Sequence, residues 1–270
     1  PGSVLALIED NQLPHLAGEK VREPVYKAAA RWLPNSKKQE LAASGIPVVE
    51  PMEVLATHML EVIQSNFSLI FTRMVMLETL DALTKITDLD RAAANQRFLD
   101  EYIPGKVTPE MLLSVLRLLL GERISIRNLF LIIETVAEVK AMNPSLPRIV
   151  ELVRQRLAFQ IVDRLQDDQG RLPLVQLGAN WEQKFAEYEV SSEGGSTDIA
   201  LPPELFGELI SSIQGKLNEV AQKGIVTAVA TTSRRRRFLQ TVLASKGIRN
   251  AVVAYEEISA RSKPYIIGVA

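Results

Sequence analysis

The chain of 270 residues carries 31 Lys and Arg against 32 Asp and Glu, a formal charge of −1, and no cysteine. The near-neutral balance argues against a general nucleic-acid binder, which needs excess cations to neutralise phosphates, and the absent thiols exclude disulfides, thiolate metal sites, iron–sulfur clusters and cysteine nucleophiles. With 47% apolar and 23% charged residues, the composition is that of a globular chain able to bury a core without disulfides or metals.

Residues 1 to about 47 read as short strands, with apolar runs Val4 to Ile8 and Pro24 to Tyr26, and one helix near Lys37 to Ser44 closed by Gly45 at the C′ position. From Pro51 to Leu165 the apolar spacing is helical. Pro51 suits a first helical position, and Val54, Leu55, Met59, Val62 and Ile63 recur at helix spacing. Further helices are expected over about 67–83 and 90–102. Thr108-Pro109-Glu110 combines a capping hydroxyl, a proline at the first helical position and an acid in the first turn. The helix it starts carries Met111, Leu112, Val115, Leu116, Leu119 and Leu120 and stops at Gly121. Ser125 is expected to cap the next, with Leu129, Ile132, Ile133, Val136 and Val139 on one face, and Pro147 to open another reaching Leu165.

Asp167 to Gly170 reads as a turn, after which strands and helices alternate. Strands are expected over 172–177, 225–230, 251–255 and 265–269, and helices over 181–189, 202–222 and 233–246, the last closed by Gly247. Ser191 to Thr197 reads as a flexible loop. The fold class is therefore α+β and multi-subdomain, a helical middle followed by an α/β C-terminal part. No stretch approaches the roughly 18 uncharged apolar residues of a membrane helix, the richest run, Met111 to Leu120, being cut by Arg117. Pro1-Gly2-Ser3 resembles a cloning remnant, so the chain reads as a soluble piece of something larger.

Catalytic chemistry finds no foothold. His15 and His58 are the only histidines, and neither has a metal-ligand partner at the spacing of a zinc motif. His58 reads as a structural helix residue. Phosphate-binding glycine loops and a nucleophile elbow are absent from the sequence, and Gly194-Gly195 starts no helix after a strand. Glu256 and Glu257 would point to opposite faces of a strand, a poor catalytic pair. The helix pair over 108–139 has the outline of a helix-turn-helix. Its second helix, however, presents Leu129, Phe130, Leu131, Ile132 and Ile133, leaving only Arg127 and Asn128 for bases.

Arg234 to Arg237 form the sharpest charge feature. Four consecutive helical residues sweep about 300°, so they cannot share one solvated face, and they fall in a first turn, where the macrodipole disfavours cations. Two readings stand: a solvated helix end with stems packed on neighbours, or pairing with an acidic partner surface. A complement exists in the chain, since Asn180 to Ala200 holds Glu182, Glu187, Glu189, Glu193 and Asp198 against Lys184. Residues 231–270 hold eight Lys or Arg against Glu256 and Glu257. Opposed patches of this kind allow head-to-tail pairing between subunits of a ring, through Arg234, Arg235, Arg236 and Arg237 on one side and Glu182, Glu187 and Glu189 on the other.

The runs VREPVYKAAARWL (Val21 to Leu33) and GIPVVEPMEVLATHMLEVI (Gly45 to Ile63) resemble the cytosolic domain of the type III export-gate family, which has a flagellar and an injectisome branch. Three later segments agree in order: Leu116 to Val139, Ile149 to Val162 and Ala251 to Ile258. The resemblance implies an interaction module and no enzyme, without catalytic residues, metal or cofactor. It implies a cytosolic part that assembles as a nonameric ring at the cytoplasmic face of the bacterial inner membrane, attached through an N-terminal membrane region. Its implied partners are copies of itself, chaperone–substrate complexes, the gatekeeper and stalk components of the export ATPase, with no nucleic acid among them. It implies four segments: 4–45 as the remnant and return of an inserted small α/β subdomain, 46–66 as the end of the first subdomain, 67–150 as a helical ring-building subdomain and 151–270 as the C-terminal α/β subdomain. It also implies an apolar docking dimple for chaperones at Glu23, Tyr26 and Thr57, with Glu and Tyr standing where the family pattern has Asp and Phe. Two plainer roles stand beside it: Tyr26 as a half-buried anchor of a strand, and Thr57 bonded to the preceding-turn carbonyl. The lead TTSRRRR at Thr231 to Arg237 departs from the proline-containing entry expected there. Asn128 and the ending Ala254 to Ile258 lean toward the injectisome branch. The rival classes are a soluble enzyme with an unrecognised carboxylate site and a helix-turn-helix regulator.

Overall fold

The computed structural model describes residues 2–8, 18–23, 28–191 and 197–270, and the chain divides into two units, residues 1–70 and 71–270. In the first, β1 (Ser3–Ala6) lies between β3 (Ala29–Pro34) and β4 (Val48–Val49), with β2 (Glu19–Arg22) on the far side of β3. All three pairings are antiparallel, and Ser3 to Ala6 run opposite Pro34 to Arg31. Ala6, Ile8 and Leu33 form a small core with Leu41 of α1 (Lys38–Ala43). α2 (Pro51–Ser65) starts where Pro51 predicts, and the Glu50 N–H donates to the Glu53 carboxylate at 3.2 Å, satisfying a donor at the helix start. Of the expected face of α2, Leu55, Met59, Val62 and Ile63 are exposed and Val54 is half-buried; Met52 also lies outward, while the one buried side chain of the helix is Glu61.

The helix expected over 67–83 is two pieces, α3 (Phe67–Ile70) and α4 (Arg73–Thr84). The break follows from Thr72, whose hydroxyl accepts from the Val75 N–H at 3.3 Å and starts α4 afresh. Asp88 caps α5 (Leu89–Tyr102), and Thr108 caps α6 (Pro109–Gly121) by accepting from the Met111 N–H at 3.3 Å. α7 (Leu129–Lys140) begins four residues beyond Ser125, the expected cap. Asn128 at its start instead donates to Gln160 at 2.7 Å, and Gln160 donates to the Ser125 carbonyl at 2.7 Å. The helix expected from Pro147 to Leu165 is α8 (Leu146–Arg156) and α9 (Ala158–Asp163), broken at the buried Leu157. A boundary at 150/151 would therefore cut α8.

Asp167 closes the next turn by accepting from the Gln169 and Arg171 N–H groups at 3.0 and 2.9 Å, with Gly170 at φ 68. β5 (Leu172–Gln176), α10 (Ala179–Glu187), β6 (Glu189–Ser191), β7 (Thr197–Ile199), α11 (Pro203–Gln222), β8 (Ala228–Thr231), α12 (Ser233–Ser245), β9 (Val252–Ala254) and β10 (Pro264–Val269) follow. Gly194-Gly195 and most of the expected loop lie outside the described residues. The order β10-β5-β8-β9 makes a parallel sheet. Leu172, Leu174, Ala228, Ala230 and Val253 face the core of α4 to α9. Val175, Val229 and Val252 face Trp181, Phe185, Leu209, Ile213, Leu239 and Val242 on the other side. A sheet covered on both faces is apolar at successive positions, which is why β5 and β8 read as unbroken apolar runs. The helical middle followed by an α/β end is the architecture observed, with the sheet shared between the two. The strand expected over 251–255 stops at Ala254, and Tyr255, Glu256 and Glu257 form a short 3-10 turn.

Replacing Thr108 with alanine is expected to lower unfolding stability by about 1 kcal/mol, and with serine by far less, as read from urea melts.

Candidate functional site

Charged side chains enter the interior of the larger unit at four places. Glu122 follows α6, Glu151 and Arg154 lie one turn apart on α8 beside the buried Val150 and Val153, Arg236 sits in the opening turns of α12, and Glu257 ends the turn after β9. They meet. Arg236 donates from Nε to Glu151 Oε2 at 2.8 Å, from Nη1 to Glu122 Oε2 at 2.8 Å, and from Nη2 to Glu122 Oε1 at 3.0 Å and to Glu151 Oε1. Arg154 donates from Nε and Nη2 to the two oxygens of Glu257 at 2.8 and 3.0 Å, from Nη1 to Glu122 Oε2 at 2.6 Å, and from Nη2 to the Val252 carbonyl at 3.3 Å. Glu257 also accepts from the Ala254 N–H at 2.9 Å. The side chains of Arg236, Arg154 and Glu257 are 0%, 3% and 1% exposed. Burial opposes the charge of Arg236, but the hydrogen bonds to Glu151 and the charges of Glu122 and Glu151 outweigh it and hold the guanidinium above its ordinary pKa.

This placement corrects the expected pairing between subunits for the two buried arginines, Arg235 and Arg236. Arg236 is enclosed and bonded within its own chain, so it cannot reach a partner. Arg235 is also buried, with Nη2 at 3.4 Å from Glu189, Nε at 3.9 Å from Glu182 and its guanidinium 5.9 Å from the Phe185 ring. Arg234 pairs with Glu189 as well. The acidic complement of the arginine run is thus used inside the chain at Glu182 and Glu189, while Arg237 and Glu187 are exposed. The macrodipole cost of cations in a first turn is offset at its source. Glu256 accepts from the Ser233 N–H at 3.0 Å and the Ser233 hydroxyl at 2.8 Å, so a carboxylate sits on the positive end of α12.

The expected docking residues are only partly placed. Tyr26 and His15 lie outside the described residues. Glu23 follows β2, half-buried, with its N–H donating to the Ala28 carbonyl at 2.8 Å. Thr57 and His58 are exposed on α2. Among the described residues the Thr57 hydroxyl makes no hydrogen bond, unlike Thr79 and Thr135, which donate to the carbonyl one turn back. Nor is α7 a recognition helix, because Leu129, Ile132, Ile133 and Val136 are buried. Among the described residues, no three His, Asp or Glu side chains converge to hold a metal ion.

Sequence reasoning passed over Glu122, Glu151 and Arg154, and considered Glu257 only as half of a catalytic pair with Glu256. The legible signal was on α8, where Glu151 and Arg154 fall on the same stripe as Val150 and Val153, a face that should be wholly apolar in a core helix.

A model of the FHIPEP family matches residues 1–263. The chain belongs to the FHIPEP family. It is 31% identical to the flagellar biosynthesis protein FlhA of Caulobacter vibrioides, over 94% of this chain and 35% of that protein. Identity to FlhA of Treponema pallidum is 26%, over 99% and 37%. The chain thus spans little more than a third of the length of these relatives. Among solved structures, the Chlamydia pneumoniae CdsV protein superposes with a TM-score of 0.77 at 18% identity, covering 100% of this chain and 74% of that one. The nonameric SctV-C of EPEC superposes with 0.72 at 16% identity, covering 100% and 78%. These solved structures share the overall fold of this chain.

Removing Arg236 strands buried carboxylates, so Arg236→Met is expected to cost about 3–5 kcal/mol in urea unfolding, and Arg237→Ala less than about 0.5 kcal/mol.

Proposed function

We propose that this FHIPEP domain is the ring-forming cytosolic part of a type III protein-export gate. It assembles with copies of itself at the cytoplasmic face of a bacterial inner membrane. There it receives chaperone–substrate complexes, the gatekeeper and the stalk components of the export ATPase. The observation that carries the reading is family membership over nearly the whole chain together with a fold match to a domain whose solved form is a nonamer. A solved complex of the Chlamydia pneumoniae CdsV and CdsO proteins supports a partner-binding role for the same fold. No helix of the described residues is long and apolar enough to cross a membrane.

The physical character of the surface fits a module that works by contact. An apolar helix face left outward, as on α2, marks an interaction site far more often than a solvated one. On this reading the docking surface for chaperones includes Glu23, Tyr26 and Thr57, and the chain is organised as the four segments 4–45, 46–66, 67–150 and 151–270. The third boundary is best moved off 150/151, out of α8. The sequence relatives above are flagellar, and the injectisome neighbours resemble this chain at a level that speaks for fold alone. The proposal is therefore made for the export gate common to both branches, and the lean toward injectisomes has no support from them.

Two measurements test it. In sedimentation velocity the chain should shift to a large species as concentration rises; a monomer at every concentration and salt would count against ring formation. Thr57→Lys and Glu23→Arg should each weaken capture of a loaded export chaperone by about tenfold while leaving the melting temperature in place. A melting temperature that falls with binding would assign them to the core instead.

A further inference from the structure

The parallel sheet ends at β10, which among the described residues pairs with β5 on one side and with no strand on the other. Natural edge strands are blunted by charges, prolines, bulges or extreme shortness. The opposite edge, β9, is three residues long. β10 is six residues, and from Pro264 to Ala270 there is no charged side chain. Pro264 stands only at its first position, and the irregularity between Ile266 and Gly268 leaves pairing with β5 intact to Val269. The end of the strand is held in place: Ala270 N–H donates to the Gln176 carbonyl at 2.8 Å, and Gly178 N–H to the Ala270 carbonyl at 2.9 Å. Ile267 packs into the core beneath, while Ile266 and Val269 are 58% and 56% exposed.

The charges around this edge are lopsided. Arg171, over the Tyr265 ring at 5.0 Å, is matched by Asp167, and Lys216, which lies against Gly268, by Glu219. Arg261 and Lys263, exposed where the chain enters β10, have no ion pair among the described residues. A strand edge unpaired among the described residues and without charged side chains, with two unmatched cations at one end, has the chemistry for adding a strand. Main-chain hydrogen bonds along the edge supply affinity, and alternate side chains supply selectivity.

We infer that β10 is a docking edge for an extended, acidic-ended segment of a partner protein, which adds as a fifth strand with apolar side chains beside Ile266 and Val269 and carboxylates against Arg261 and Lys263. This goes beyond ring assembly and is independent of it. The probe is a synthetic ten-residue peptide with two aspartates followed by alternating valine and threonine, labelled for fluorescence polarisation against the 270-residue chain.

Saturable binding is expected, lost when alternate amides of the peptide are N-methylated, because methylation removes the donors that pair with a strand edge. Arg261→Glu with Lys263→Glu should weaken binding about tenfold, and Ile266→Asp by a similar factor, with circular dichroism unchanged. Absence of binding, or equal binding of the N-methylated peptide, would overturn the inference. So would an Ile266→Asp variant that keeps full affinity, or a chain that dimerises through β10 and excludes the peptide.

Discussion

The carboxylate of Glu122 takes donors from both Arg154 and Arg236, and the architecture of the larger unit hangs on that shared acceptor. α4 to α9 cover one face of the parallel sheet and α10 to α12 the other, so apolar packing alone would leave two layers joined only through thin strands. Arg236 leaves the start of α12, at the end of β8, and crosses to Glu151 and Glu122 of the helical layer. Arg154 runs the opposite way, from α8 to Glu257 beyond the end of β9. The two arginines clamp the layers across the C-terminal ends of β8 and β9. Three carboxylates around two guanidiniums leave an acidic excess, which the Ala254 N–H on Glu257 partly answers. Buried charges of this kind are weak evidence for added stability, since apolar residues of the same volume would do as well. What they impose is geometry: each ion is tolerable only while its partners stay, so the helical layer and α12 can meet in one register alone.

The same constraint explains the least regular feature of the sequence. Arginines in a first turn face the positive end of a helix, and a solvated run there should be selected against. Here the run is distributed around the helix: Arg236 inward to the ion network, Arg235 over Phe185 and toward Glu189, Arg234 also toward Glu189, and Arg237 outward. Glu256 holds the helix end itself. The 300° sweep that rules out a common face is what allows one short segment to tie α12 to three neighbours.

Much of this is legible in the amino-acid sequence. Caps such as Thr108 with Pro109, and the turn at Asp167 with Gly170, act within a few residues and are visible locally. The apolar runs of β5 and β8 announced a sheet covered on both sides. Errors came where a local rule competed with a distant partner. Ser125 looked like a cap, but α7 begins at Leu129, with Asn128 and Gln160 joining it to α9. Glu256 and Glu257 looked like alternating strand residues, but Ser233 and Arg154 draw them into a turn with separate tasks. The arginines and the acids near 180–190 were recognised as complementary, while their closure within one chain depends on α12 and α10 lying on the same face of the sheet. That follows from strand order, which no local pattern encodes.

α2 reverses the usual polarity of a surface helix. Its stripe of Met52, Leu55, Met59 and Ile63 faces outward, and its buried side chain is Glu61. A helix amphipathic in sequence is ordinarily stabilised by burying its apolar stripe, and here that stripe is left as apolar surface open to contact. The arrangement of the larger unit is complementary in kind: its polar groups are turned inward and matched, at Arg154 and Arg236 above all, while apolar side chains such as Ile266 and Val269 are left on its surface. Interior charge that fixes register, combined with exterior apolar surface, suits a domain whose stability is complete within the chain and whose remaining hydrophobic free energy is released only on contact with others.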